Sequence, residues 1–292
     1  MPLTFTRRFR VRYYECDAHR VLTNANYLRY MQEAAFDASA DVGYDEDEYL
    51  KLGSFWLIRE TEISFFKPLR SNDLVDVVTW VDDFRRVRSR RIYEFRLHPT
   101  NELVGKAVTD WAYLDRKIGR PKEIPDEMVS AFVGSGEEII SKPRTRFPIN
   151  NNPPKEAYFV HRKVEWRDID SAQHVNNAVY LAYFEDCGIQ AAKEYGWEMK
   201  RMQNLSVGIV GRKHHILYRQ PALLEDELEI ATWLTDFQKS TVTRNYILKR
   251  LSDNEILGQS TSVYALIDLN TGNPTNFPAT FRQDFKSNTT CE

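Results

Sequence analysis

Two loops in this chain set an aspartate seven residues ahead of an asparagine: Asp17 before Asn24, and Asp170 before Asn177. The first runs Tyr14-Glu15-Cys16-Asp17-Ala18-His19-Arg20-Val21-Leu22-Thr23-Asn24, the second Arg167-Asp168-Ile169-Asp170-Ser171-Ala172-Gln173-His174-Val175-Asn176-Asn177. Each asparagine opens a stretch that reads as helix. A helix N-terminus carries unpaired N–H groups and a partial positive charge, so it can polarise a carbonyl oxygen, while a nearby carboxylate activates water or attacks the carbonyl carbon. That pairing fits acyl transfer. Aspartate and asparagine also cap helices for purely structural reasons, and the spacing by itself favours neither use.

His174 adds a group that titrates near neutral pH, able to shuttle a proton or to organise the loop. Its counterpart in the first loop is Val21, with His19 nearby, so the second loop is the better equipped. Asn176 and Asn177 can donate hydrogen bonds to an acyl group or pin the loop. Cys16 adjoins Asp17, whose charge raises a thiol pKa, and Cys187 falls inside a helix, so both read as packing residues. The run Arg85-Arg86-Val87-Arg88-Ser89-Arg90-Arg91 puts Arg86, Arg88 and Arg90 on one face of a hairpin strand, where they could meet phosphates or an acidic partner. A charged strand edge that discourages aggregation is the alternative to that partner-binding reading. His214 and His215 alternate sides of a strand, poor geometry for a shared metal, and neither metal nor cofactor is expected.

These groups sit in a chain written twice. Shifting the numbering by 153, the step from Asp17 to Asp170, lays residues 17–115 over 170–268 without a gap. Tyr27 falls on Tyr180, Pro68 on Pro221, Thr79-Trp80 on Thr232-Trp233, and Arg91 and Tyr93 on Arg244 and Tyr246. A register kept that long indicates duplication, with each copy a folding unit packed against its twin. Residues 5–14 and 158–167 alternate as strands. Asn24 to about Asp41 and Asn177 to about Tyr195 read as helices, each ended by a glycine, Gly43 or Gly196. Strands are predicted at 54–66, 74–84, 87–97 and 103–115, with counterparts at 207–219, 227–237, 240–250 and 256–268. Val75, Val77 and Val81 map onto Leu228, Ile230 and Leu234, one buried face kept in both copies.

One long helix backed by antiparallel strands suggests a sheet curled around the helix, an α+β design, and two such units joined edge to edge would form one long sheet. The domains are predicted at 1–133 and 158–292, with 134–157 an extended linker; its stretch 141–157 holds four prolines and three consecutive asparagines. Tyr27 and Tyr180 are expected to pack against the opposing helix. The copies would act as a pseudo-dimer, either as a monomer or paired again as a homodimer.

At 292 residues, 42% hydrophobic and 13% aromatic, the chain can bury two ordinary cores. A formal charge of −2 argues against general nucleic-acid binding. No stretch has the length and apolarity of a membrane span, and MPLTFTRRFRVR lacks the apolar run of a signal peptide, so a cytoplasmic location is expected. Three cysteines at unrelated spacings suggest neither a disulfide framework nor a CxxC metal site.

The string DIDSAQHVNNAVYLAYFED resembles the signature of hotdog-fold thioesterases, and RYYECDAHRVLTNANYLRYMQEA resembles their 4-hydroxybenzoyl-CoA thioesterase branch. FWLIRETEISFFKPLRSNDLVDVVTWV and GRPKEIPDEM are similar to the first half of the acyl-ACP thioesterase family. The resemblance implies a tandem, or double, hotdog and hydrolysis of a fatty acyl thioester of acyl carrier protein, with coenzyme A as the alternative carrier. It also implies that Asp170, and Asp17 in the other copy, acts as nucleophile or base, and that His174 serves the same site. From residue type and place, Asn177 is expected to organise that loop, and Asn176, Asn24, Arg86, Arg88 and Arg90 are expected to contact the substrate. Ala172 stands where the family has an asparagine, and the glutamate and cysteine of plant members fall at Leu217 and Ala222, so a cysteine mechanism is not expected. A non-catalytic acyl-thioester sensor on the same scaffold is the competing reading, and a hydratase a third.

Overall fold

The computed structural model describes residues 3–133, 144, 147–148 and 153–289. The chain divides into two compact units, Met1–Arg146 and Phe147–Glu292. In unit one, β1 (Thr4–Arg10) leads through a short 3-10 turn, Tyr13–Glu15, to the long helix α1 (Asn24–Asp41). Then come α2 (Glu46–Lys51), β2 (Ser54–Phe65), β3 (Leu74–Arg85), β4 (Arg88–His98), β5 (Glu102–Asp115) and α3 (Asp126–Val133). Its sheet runs β1-β3-β4-β5-β2, antiparallel at every pairing. Unit two repeats the plan with β6 (Tyr158–Lys163), the turn Trp166–Asp168, α4 (Asn177–Glu194), α5 (Met199–Asn204), β7 (Val207–Tyr218), β8 (Glu227–Thr235), β9 (Thr241–Arg250), β10 (Ile256–Asp268) and α6 (Ala279–Asp284). Its sheet runs β6-β8-β9-β10-β7, again antiparallel.

The buried faces follow the period-2 pattern of the sequence. Val75, Val77 and Val81 on β3 are buried, as are Leu228, Ile230 and Leu234 on β8. Both long helices end as their glycines predict. Gly43 and Gly196 take positive φ, +88° and +78°, and the next residue's N–H reaches back to Ser39 or Ala192, so the last turn is closed by backbone bonds. Among the described residues no helix is long and apolar enough to cross a membrane.

The duplication reaches further than the aligned segment. Ile124, Met128 and Phe132 pack on Val81 and Phe84 in unit one, and Phe277, Phe281 and Phe285 pack on Leu234 and Phe237 in unit two, each pair at the same 153-residue offset (124 and 277, for example). In both units a buried arginine lies 5.5 Å from the last phenylalanine ring, Arg91 over Phe132 and Arg244 over Phe285, and donates to a buried threonine, Thr79 or Thr232, at 3.4 Å. Burial drives the Arg91 pKa down from its usual value.

Several expectations are corrected. Strand character stops at Arg10 and Lys163, because the chain turns into the 3-10 segments instead of continuing to residues 14 and 167. Four short helices, α2, α3, α5 and α6, lack the length that makes a period visible in sequence. Tyr27 and Tyr180 pack within their own units: Tyr27 lies edge-on to Phe65 and Phe95, and Tyr180 lies edge-on to Tyr218 over the backbone of Gly258. Most of the connector 141–157 lies outside the described residues. At Arg144 and Phe147 it is not a surface strand, for Arg144 reaches both Asp110 and Asp83 (3.0 Å to the latter), and Phe147 is buried edge-on to His215.

Gly188 tests this packing. A helical Gly→Ala change ordinarily gains up to about 1 kcal/mol, but here a Cβ would stand 2.6 Å from the hydroxyl of Tyr246, which is buried against Phe184 and bonded to the Tyr264 hydroxyl at 3.0 Å. Gly188→Ala is expected to destabilise the protein by about 1–3 kcal/mol, measured by urea unfolding; a gain in stability would contradict the arrangement.

Candidate active site

In each unit one residue after the first strand organises the loop. Glu15 and Asp168, at equivalent positions, are buried. The Glu15 carboxylate accepts the Arg12 N–H at 2.7 Å and the Tyr30 hydroxyl at 2.5 Å; Asp168 accepts the Glu165 N–H at 2.9 Å and the Tyr183 hydroxyl at 2.7 Å. Their backbone carbonyls in turn accept the N–H of Thr23 and Asn176, both at 3.0 Å. One residue thus ties strand end, loop and helix together. Tyr30 is stacked on Phe9 at 4.3 Å, and Tyr183 lies under the Arg162 guanidinium at 3.7 Å. Burial first, then the bond to the carboxylate, raises both phenol pKa values well above normal, so each remains a donor at any physiological pH.

On this footing the loops double back. Short bridges pair Cys16 with Leu22 and Ile169 with Val175, and the turn between them forces Arg20 and Gln173 into the left-handed region, φ +62° and +66°. Non-glycine residues there are strained, and the same strain in both copies marks a geometry the fold maintains.

The two aspartates are held differently. In unit one, Asp17 Oδ1 accepts the N–H groups of His19 (2.8 Å) and Val21 (3.2 Å), and the residue is exposed. In unit two, Asp170 is half-buried and both oxygens are engaged: Oδ1 by the Ala172 N–H at 2.9 Å, Oδ2 by the Asn176 side-chain amide at 3.0 Å. The Asp170 N–H donates to the His174 carbonyl at 3.1 Å. The His174 side chain is half-buried and makes no hydrogen bond among the described residues, so its imidazole is not committed to holding the loop.

Helices α1 and α4 open at Asn24 and Asn177 as the sequence predicts, while the capping positions are Thr23 and Asn176. Asn176 Oδ1 accepts the Ala178 N–H at 3.0 Å, so that first-turn donor is used by the cap. The Asn177 carbonyl accepts the Tyr218 hydroxyl at 3.2 Å, but its side-chain Nδ2 is buried with no hydrogen-bond partner among the described residues. An unmet buried donor costs about 1–3 kcal/mol. Its place at the head of an 18-residue helix, next to the residue that holds Asp170, suits a ligand oxygen.

The remaining candidates fall elsewhere. Arg86 lies between β3 and β4, in an exposed pair with Glu123 at 3.4 Å, and Arg88 opens β4, exposed. Arg90 is not placed for phosphate: it faces Asp110 at 3.6 Å in a small pocket that it shares with Glu60, Glu62 and Val108, where three carboxylates would repel an anion. Burial raises both thiols, Cys187 to about 12, and the neighbouring Asp17 charge adds to the rise at Cys16. His214 donates to or accepts from Ser262 at 2.8 Å, and burial pushes its pKa down to about 3, while His215 packs on Phe147. Among the described residues no group of three His, Cys, Asp or Glu side chains is placed to hold a metal. Sequence reasoning missed Glu15, Asp168, Tyr30 and Tyr183; the available signal was a carboxylate and a tyrosine fifteen residues apart in both copies (15 and 30, 168 and 183).

Comparison with known proteins gives the context. Residues 2–132 match the acyl-ACP thioesterase N-terminal domain, and residues 164–285 match the thioesterase-like superfamily. Over 197 residues the chain is 24% identical to oleoyl-acyl carrier protein thioesterase 1 of Arabidopsis thaliana, covering 62% of this chain and 54% of that protein. It is 26% identical over 193 residues to the palmitoyl-acyl carrier protein thioesterase of the same plant, covering 62% and 46%. The chain spans about half the length of these curated relatives. Among solved structures, a putative oleoyl thioesterase from Lactobacillus plantarum aligns at TM-score 0.77 with 18% identity, covering 90% of this chain and 96% of that one. The 12:0-ACP thioesterase of Umbellularia californica aligns at 0.72 with 19% identity, covering 90% and 94%. These likenesses establish a hotdog-like thioesterase fold.

Tyr183→Phe removes one hydrogen bond from a buried carboxylate and changes little else. It is expected to cost about 1.5–3 kcal/mol, the usual worth of a bond to a charged group, measured by chemical denaturation. An unchanged unfolding midpoint would remove Asp168 as the anchor of the loop.

Proposed function

We propose that this chain is a member of the acyl-ACP thioesterase family and hydrolyses fatty acyl thioesters of acyl carrier protein to free fatty acid and carrier thiol. The observation that carries the reading is the buried Asn177 amide, without a partner among the described residues, in the residue that follows Asn176, whose own amide holds the doubly engaged Asp170 carboxylate. In this reading the thioester carbonyl oxygen sits against Asn177 Nδ2 at the head of α4. Asp170 either takes a proton from an attacking water or attacks the carbon itself; both routes use the same carboxylate. As the tetrahedral centre forms, negative charge gathers on the oxygen facing Asn177 and the helix terminus, where it is most stabilised. Collapse breaks the carbon–sulfur bond; after attack by water it leaves the free acid, and after attack by Asp170 it leaves an acyl–aspartyl anhydride that a water molecule then hydrolyses to free acid and the original carboxylate. A thiol has a pKa near 8.5, so the thiolate leaves without a strong general acid. His174 stands by to exchange protons with solvent.

The second copy is the better placed for this chemistry. Val21 replaces His174, and Thr23 replaces Asn176, at the equivalent positions of the first loop. The two units are read as tandem hotdogs, a pseudo-dimer in sequence. The names of the curated relatives favour acyl carrier protein over coenzyme A as the carrier. Acyl chain preference would follow the depth of an apolar channel, since each buried methylene is worth about 0.8 kcal/mol.

The test is thiol release from a panel of acyl-ACP and acyl-CoA thioesters. Hydrolysis of acyl-ACP, with Asn177→Ala lowering kcat by roughly a hundred- to a thousand-fold, is the expected result. Faster turnover of coenzyme A thioesters would move the substrate to that carrier, and absence of thiol release from every member would favour a non-catalytic acyl-thioester sensor.

A further inference from the structure

The chain of contacts below Asp170 differs between the two units at a single link. In unit two it runs from Tyr183 to the Asp168 carboxylate, from the Asp168 carbonyl to the Asn176 N–H, and from the Asn176 amide to Asp170 Oδ2. Asn176 is fixed at each of its polar ends: its N–H by Asp168, its carbonyl by the Val179 N–H at 2.9 Å, and its Oδ1 by the Ala178 N–H. An amide tied at Oδ1 cannot turn without breaking the cap, so Nδ2 is aimed at Asp170 by the start of the helix itself. In unit one the chain begins identically, from Tyr30 to Glu15 to the Thr23 N–H, and stops there. Thr23 has no amide to offer, caps nothing with its side chain, and leaves Asp17 with Oδ1 alone engaged.

We infer that Asn176 is a positioning residue that locks the Asp170 carboxylate to the N-terminus of α4, and that this lock, absent at Thr23, makes the second loop the hydrolytic one. The inference rests on the proposed thioesterase activity. It reassigns Asn176, which the sequence marked as a substrate contact, to act through Asp170. A carboxylate that swings by about 1 Å loses its line to the acyl carbon, and misplacement on that scale costs about a hundred-fold in rate. Binding of the acyl chain and carrier does not involve this bond, so the loss falls on kcat.

The test compares Asn176→Ser with Asp170→Asn in steady-state hydrolysis of the best acyl thioester in the panel. Serine caps helices as well as asparagine does but is too short to reach Asp170. The expected result for Asn176→Ser is a kcat at least ten-fold lower with KM and thermal midpoint near wild type. A second variant, Asn176→Asp, keeps the capping oxygen and replaces the donated hydrogen bond to Asp170 by a repulsive carboxylate. It is expected to lose kcat further. The inference is overturned if both variants keep wild-type kcat while Asp170→Asn abolishes turnover, or if kcat falls only in step with the thermal midpoint. Turnover that survives in Asp170→Asn removes the hydrolytic reading, and this inference with it.

Discussion

The hydrogen bond from a helical tyrosine to a buried carboxylate, Tyr183 to Asp168 and Tyr30 to Glu15, is the contact on which both loops depend. A buried carboxylate is costly unless its oxygens are met. Here the tyrosine hydroxyl and a backbone N–H meet them, and the requirement fixes three elements at once. The first strand must end where its N–H can turn inward, and the long helix must present its tyrosine. The intervening loop must then close over the gap through the carbonyl of the same residue. The strained turns at Arg20 and Gln173 and the short bridges that follow are consequences of that closure.

Because the chain is duplicated, unit one serves as an internal reference for unit two. The shared parts are structural: the carboxylate–tyrosine bond, the strained turn, the buried arginine over a terminal phenylalanine, and the glycine that ends each long helix. Two differences that bear on the site lie within a few residues of the aspartates. Val21 against His174 and Thr23 against Asn176 change what can be done with a carboxylate that both units retain. A loop that need not turn over tolerates an exposed aspartate held through one oxygen. One that must attack the same carbon on every cycle requires a fixed one.

Much of this was legible in the sequence, because it rests on periodicity and local chemistry. The strands alternate, the long helices begin at asparagine and end at glycine, and the 153-residue offset from Asp17 to Asp170 exposes the repeat. The site loops were legible as candidates through their residue types. What was not legible depends on distant contacts. The role of Asp168 needs Tyr183, the neutralisation of Arg90 by Asp110 needs the register of β4 on β5, and the pairing of Arg144 with Asp83 and Asp110 joins segments far apart in the chain. The resemblance of the helical terminal segments, Met128 to Phe281 and Phe132 to Phe285, was hidden because only spacing and burial survive there, with little identity.

The central claim is that one of two similar aspartates does the chemistry. It is tested most directly by single-turnover thiol release from an acyl-ACP substrate, comparing Asp170→Asn with Asp17→Asn in otherwise identical protein. The account predicts that Asp170→Asn loses at least about a hundred-fold in rate, while Asp17→Asn stays within a few-fold of the parent. Equal losses in the two variants, or a larger loss at Asp17, would contradict it.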